Sequence, residues 1–288
     1  MYKGLSPGAI QVKVAHLEEA IDKARRHGFG SVEFNPREIA ERIERDGANT
    51  VREFFTAAGM RPAGFGLPLD WRGDEAKWRE GIDRLPRLAG AAAAIGATRC
   101  MTWVLPSSDE LPYAENRRFH VERFKPAARV LAEHGIHLGL EFLGPKTLRD
   151  ARKHPFIYML RDMLDLGREI GPNVGLLLDS WHWYTSGGTV EEIRALRPEQ
   201  VVYVHVNDAP VGIPVDQQVD NVRAMPGETG VIDIAGFLRA LDAIGYDGPI
   251  TPEPFKKELR ELPSDDDRLA AASAALDEIF RQAGVKPA

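Results

Sequence analysis

The chain has one cysteine, Cys100, in 288 residues. An internal disulfide is therefore excluded and a reducing compartment is expected. A lone cysteine of this kind reads as a small apolar core residue. No run of ~18 apolar residues could span a bilayer. The opening segment, MYKGLSPGAIQVKVAHLEE, carries no apolar signal-peptide core. The cytoplasm is the expected compartment, with no membrane partner. Positive charge is also short: 37 Lys and Arg stand against 43 Asp and Glu, a formal net charge of −6. That argues against a general nucleic-acid binder, which needs a basic patch or stripe. No Pro/Gly/Ser-rich linker and no charge run divides the chain. No glycine cradle of the P-loop type supports a phosphorylated substrate.

What is present is alternation. Helical apolar spacing marks His16–His27, with Leu17, Ala20, Ile21 and Ala24 on one face and Gly28 as its cap. Further helices are expected over Arg37–Ala58, broken near Gly47, and over Asp74–Ile95 and Tyr113–His134. The rest are Phe156–Ile170, Thr189–Leu196, Ile234–Ile244 and Asp265–Gln282. Between them lie short runs rich in Val, Leu and Ile: SVEFNP, RPAGFGLPL, TRCMTWVLP, HLGLEFLGP, VGLLLDSWHW, VVYVHVNDA and GPITPEPF. A first strand near Pro7–Val14 completes eight strand–helix pairs. Continuous apolar strands alternating with helices mean a parallel sheet covered on its outer side. Eight such units in this length fit one closed (β/α)8 TIM barrel, a single α/β domain over residues 1–288.

Four of these runs end on a residue type that binds metals. They are Glu141 in LGLEF, Asp179 in GLLLDSWHW, His205 in VYVHVND and Glu253 in ITPEPF. Each has a plainer role when read alone. Glu141 could pair with a base, Asp179 could cap a following helix, and His205 could bond a neighbouring carbonyl. Glu253 sits on stiff backbone between Pro252 and Pro254. Together, at the C-terminal ends of four successive strands, they occupy the place where barrels of this type carry active sites. Three carboxylates converging without a cation would repel one another. A divalent cation relieves that, and three oxygens plus one imidazole suit Mn2+ or Mg2+ better than a thiolate-type structural zinc.

Across essentially its whole length the chain resembles the xylose-isomerase-like superfamily of TIM barrels. That superfamily includes sugar isomerases, ketose 3-epimerases, inosose dehydratases and endonuclease IV. The motifs carrying the resemblance are LEF with Glu141, D-x-x-H with Asp179 and His182, HVND with His205 and Asp208, MPGETGVID over 225–233, and EPF with Glu253. The resemblance implies that Glu141, Asp179, His205 and Glu253 hold one divalent ion, with Mn2+ first and Mg2+ or Co2+ as alternatives. It also implies that Glu141 and Glu253 form the catalytic acid/base pair and that His182 contacts substrate oxygens. The epimerase branch places an arginine a few residues after the metal-binding histidine. No arginine stands near Val211, so Arg223 is the substitute, reaching for a hydroxyl or carboxylate. Trp103 and Trp181 are expected to wall the substrate, Glu33 to lie at the polar rim, and Asn207 and Asp208 to orient His205 or the loop. The endonuclease branch uses many more histidines than the two, His182 and His205, of the late strands here.

The expected enzyme is a metal-dependent sugar or keto-sugar isomerase or epimerase working through an enediolate. The alternative is a lyase on an oxidised sugar or cyclitol, such as an inosose dehydratase or a 3-keto-glycoside eliminating enzyme. A non-catalytic metal- or sugar-binding barrel is the third reading. The partner is a small-molecule sugar or keto-sugar, with a homo-oligomer also open because such barrels often pair.

Overall fold

The computed structural model describes residues 1–288. Strand β1 is Tyr2–Leu5, earlier than the Pro7–Val14 stretch expected from the sequence. Pro7 has no N–H to give a ladder. It begins a single 3-10 turn over Gly8–Ile10 instead. Lys3 disguises β1 as polar, yet it is only 7% exposed. Its Nζ reaches out of the core to Ser273 Oγ at 2.7 Å and Asp277 Oδ1 at 2.8 Å.

Helix α1 (Leu17–Arg26) is followed by β2, which is only Ser31–Val32. The expected strand through residue 36 stops early because Asn35 caps α2 (Pro36–Asp46), accepting the Arg37 N–H with Pro36 in the first turn. Gly47, at φ +85°, breaks the long helix as expected and α3 (Ala48–Ala57) follows. Residues 61–66 supply two short ladders, β3 (Arg61–Pro62) and β4 (Phe65–Gly66).

Then come α4 (Glu75–Ala94), β5 (Arg99–Val104), β6 (Ser107–Ser108) and α5 (Tyr113–Glu133). They are followed by β7 (His137–Phe142), α6 (Lys146–Arg149), β8 (His154–Pro155) and α7 (Leu160–Ile170). β9 (Val174–Asp179) runs directly into α8 (Ser180–Thr185). The chain ends with α9 (Val190–Arg194), β10 (Val201–Val206), α10 (Ile234–Ala243), β11 (Pro249–Pro252) and α11 (Asp265–Ala283).

The main sheet has the order β3-β2-β1-β11-β10-β9-β7-β5-β4, with parallel pairing between its neighbours. Both ends of that order belong to residues 61–66. β3 pairs with β2 and β4 pairs with β5, so the sheet closes on itself. The antiparallel pair β6/β8 lies outside the barrel and joins the loops after β5 and β7.

Two apolar layers hold the fold. A core of 67 buried residues fills the space between sheet and helices. Inside the barrel sits a small separate cluster of Ala63, Met101, Leu177 and Tyr203. Side chains alternate along a strand. Two residues further along β5, β9 and β10, Trp103, Asp179 and His205 therefore face inward too. They form the next layer, at the C-terminal mouth.

Candidate active site

Asp179, the last residue of β9, also caps α8: its Oδ1 accepts the Trp181 N–H at 2.6 Å. The run DSWHW is thus a strand end followed by a helix, not one continuous strand. Its aromatic residues favour strands. Here the cap and burial against the core override that preference. One consequence is that His182 stands on a helix turn rather than on a loop, 1% exposed. Gly144, in the loop after β7, donates its N–H to His182 Nδ1 at 3.2 Å. A Cβ at 144 would lie 2.2 Å from the His182 carbonyl oxygen, so only glycine allows this approach.

Glu141, Asp179, His205 and Glu253 each offer a ligand-type atom, and these atoms all lie within 4.8 Å of one another. His205 Nδ1 is 3.4 Å from Glu253 Oε2 and 3.7 Å from Glu141 Oε1, too far for good hydrogen bonds. Both Glu141 Oε1 and His205 Nδ1 are buried with no hydrogen-bond partner. Buried polar atoms are normally paired. Two such orphans facing one point, beside two more carboxylates, are a donor set that fits a divalent cation.

The titration behaviour follows from the crowding. Burial, reinforced by the Glu253 and Asp179 charges, pushes Glu141 up to about 8. Burial also pushes Glu253 upward, but His205 and Arg223 outweigh it and hold that carboxyl below its usual range. Burial pulls His205 down, while Glu253, Glu141 and Glu33 raise it well above an ordinary histidine. Burial, helped by the Arg223 and His205 charges and opposed by Asp179, takes His182 down to about 3, so it is neutral near pH 7.

Arg223 lies in the middle of this set, 1% exposed at its side chain. Its Nη1 donates to Asp179 Oδ2 at 3.0 Å and to Glu253 Oε2 at 3.2 Å. Its Nη2 donates to Asp220 Oδ1 at 2.9 Å and lies 3.3 Å from His182 Nε2. The guanidinium is flanked by the rings of Phe255 and Trp181, at 4.6 and 5.4 Å. Phe255 adopts φ +41°, rare for a residue with a side chain, and this turns the chain just beyond Glu253. Trp181 itself has no exposed surface. It belongs to the apolar core and supports Arg223, so its expected place on the substrate wall is corrected to one beneath it.

Glu33 is half-buried at the mouth. It accepts Tyr203 Oη–H at 2.9 Å and Ser6 Oγ–H at 2.8 Å, and lies 3.9 Å from His205 Nε2. Asn207, expected to orient His205 or the loop, makes no hydrogen bond to His205 and holds Asp179 instead. Its Nδ2 donates to both oxygens of Asp179, at 3.1 and 3.3 Å, and to the Glu253 carbonyl at 3.3 Å. Asp208 serves the loop, accepting N–H groups from Ala209, Thr229, Gly230 and Ile232. Trp103 stands in register with Glu141 on the neighbouring strand.

Sequence reasoning missed Tyr203, Asp220, Ser6 and Asn207's hold on Asp179. Tyr203 had a signal: it precedes His205 by two on one strand, so both point inward. Asp220 had none, because its role depends on how the loop folds back.

The family description "Xylose isomerase-like TIM barrel" matches residues 21–281. A xylose isomerase domain protein from Alicyclobacillus acidocaldarius superposes with a TM-score of 0.85 at 32% identity, over 99% of both chains. The IOLI protein, solved with a bound zinc atom, superposes with a TM-score of 0.77 at 18% identity, over 98% of this chain and 99% of that one. Among curated relatives, inosose isomerase of Bacillus velezensis is 21% identical over 90% of each chain. A 3-dehydroshikimate dehydratase of Pseudomonas putida is 33% identical over 47% of this chain, but over only 21% of its own length. The chain belongs to the xylose isomerase-like TIM barrel family.

Proposed function

We propose that this family member is a divalent-metal-dependent isomerase or epimerase of a sugar or keto-sugar. The observation that carries the proposal is the four-residue cluster, with the unpaired Glu141 Oε1 and His205 Nδ1 turned into it. Glu141, Asp179, His205 and Glu253 would hold one ion, Mn2+ first among Mn2+, Mg2+ and Co2+. A zinc atom in a distant structural neighbour keeps Zn2+ in the test set. When bound, the ion supplies Lewis-acid polarisation of a substrate oxygen and offsets the negative charge that develops there.

The chain's own groups do the rest. Glu253, which His205 and Arg223 hold ionised, removes a proton from the carbon next to a carbonyl. Glu141, the other glutamate of the cluster, would return one, exchanging protons with solvent between turnovers. Return to the opposite face of the same carbon gives epimerisation, and return to the neighbouring carbon gives isomerisation. The rim residues Glu33 and Trp103 line the approach to this pair, while His182, buried between the Gly144 N–H and Arg223, lies beneath it rather than against substrate oxygens. Arg223 fixes Asp179 and Glu253 and adds a positive charge where negative charge grows.

A second reading is a lyase, favoured by the local similarity to a dehydratase. It shares the proton abstraction and then expels a leaving group. The reading takes residues 1–288 as one domain in the cytoplasm, acting on a small molecule rather than on nucleic acid. The continuous apolar core supports the single domain. No helix is long and apolar enough to cross a membrane.

The test is solvent-deuterium incorporation into a panel of ketoses, inososes and 3-keto-glucosides with Mn2+ present. Glu141→Gln and Glu253→Gln should each lower the rate by about 10²-fold or more. An unchanged product mass, apart from the label, means isomerase or epimerase, and loss of water or aglycone means lyase. Binding without incorporation into any compound would leave only a non-catalytic barrel.

A further inference from the structure

An arginine with no acidic partner lies beside the ligand layer. Trp103 stands next to Glu141 in register, facing the mouth. Trp71 meets it edge-on, with ring centroids 6.0 Å apart at 76°. Trp71 is firmly placed: it is 6% exposed, donates Nε1–H to Thr102 Oγ1 at 3.2 Å, and packs against His120 and Phe124. The next residue, Arg72, is exposed, and its guanidinium lies over the Trp103 ring, 4.3 Å from the centroid. No carboxylate pairs with it. The acids nearest in sequence are used elsewhere, Asp70 by the Gly73 N–H and Asp74 by the Lys77 N–H. Arg223, the other arginine at the mouth, is already engaged by Asp179, Glu253 and Asp220.

We infer that Arg72, held over the Trp103 ring, receives an anionic group carried by the substrate, whose reacting carbons lie toward Glu141 and Glu253. This rests on the enolisation reading of the site and deepens it: the substrate class becomes an acidic hydroxy-ketone rather than a neutral sugar. The guanidinium fork matches a carboxylate or phosphate with two parallel hydrogen bonds. Contact with the indole already restrains the arginine, so less freedom is lost on binding. At the deep side of the mouth Arg223 is already taken up by Asp179, Glu253 and Asp220 and offers an anion little free charge. Arg72 attracts it at the rim. An arginine free of acidic partners at the rim and the glutamate pair at depth set one orientation of the substrate.

The experiment uses three probes on one ketose skeleton: D-fructose, D-fructuronate and D-fructose 6-phosphate. They are neutral, carboxylate-bearing and phosphate-bearing at the same carbon. Calorimetric binding is measured on the full chain loaded with Mn2+. A charge-assisted pair predicts that one anionic probe binds about tenfold or more tighter than D-fructose. Arg72→Gln brings that ratio close to one, and Arg72→Lys, which keeps the charge without the fork, leaves part of it. The anionic arm that binds tighter identifies carboxylate or phosphate. Equal affinities for the three probes, no measurable binding of any, or a preference that survives in Arg72→Gln overturns the inference. Deuterium exchange in the same samples reads enolisation separately. An anion preference without exchange would sink the enolisation reading and leave Arg72's role standing.

Discussion

Arg223 Nη1 and Asp179 Oδ2 form a 3.0 Å ion pair in which the two side chains are 1% and 0% exposed. Neither charge can be left alone in such surroundings. The pair ties the loop after β10 to the end of β9, and through Glu253 it reaches the end of β11 as well. Arg223→Gln should therefore destabilise the protein by on the order of 3 kcal/mol, because a buried carboxylate loses its partner. Urea unfolding reads this. A change within a few tenths of a kcal/mol would mean that water or another cation already satisfies Asp179.

Asp208 organises the same loop from its other end. Its Oδ1 accepts from Ala209 and Ile232, and its Oδ2 accepts from Thr229 and Gly230, all at 2.8–3.0 Å. An asparagine offers one oxygen and turns its NH2 toward two of those donors. Asp208→Asn should cost on the order of 2–4 kcal/mol and speed amide exchange over residues 229–232. Unaltered exchange there would show that the loop is held by other contacts.

The pH dependence of metal affinity follows from Glu141. Its proton competes with the ion until pH passes about 8. His205, raised well above its ordinary value, adds a second competing proton. Affinity for Mn2+ should rise steadily from pH 6 toward pH 8, with proton release on binding. The sign for stability without the ion is the reverse. A carboxyl whose folded pKa is raised contributes stability that is present below the unfolded value and lost as pH rises through about 8. Calorimetry in buffers of different ionisation enthalpy counts the released protons. Affinity that is flat from pH 6 to 8 would contradict the assignment.

Much of this was legible in the chain because the signal is periodic. Glu141, Asp179, His205 and Glu253 each end an apolar strand, and a barrel gathers strand ends at one mouth. The Gly47 break in the second helix could be read for the same local reason. What escaped was set by tertiary contact. Tyr2–Leu5 is too short and too polar to stand out, since Lys3 is buried only by reaching Ser273 and Asp277. SWHWYT looks like a strand until Asp179 is seen capping it. An apolar run of that length cannot by itself be assigned to strand or helix. Arg72 and Trp103 are far apart in sequence and meet only because the loop after β4 folds over β5.

The central claim is that four strand ends make one metal centre, and counting ions tests it most directly. Titration calorimetry with Mn2+ and Zn2+ on the dialysed full chain should find one ion per chain. Asp179→Asn and His205→Ala should each weaken binding beyond the ~10–100-fold that losing an outer partner costs. No stoichiometric binding, or binding unchanged in both variants, would contradict the account.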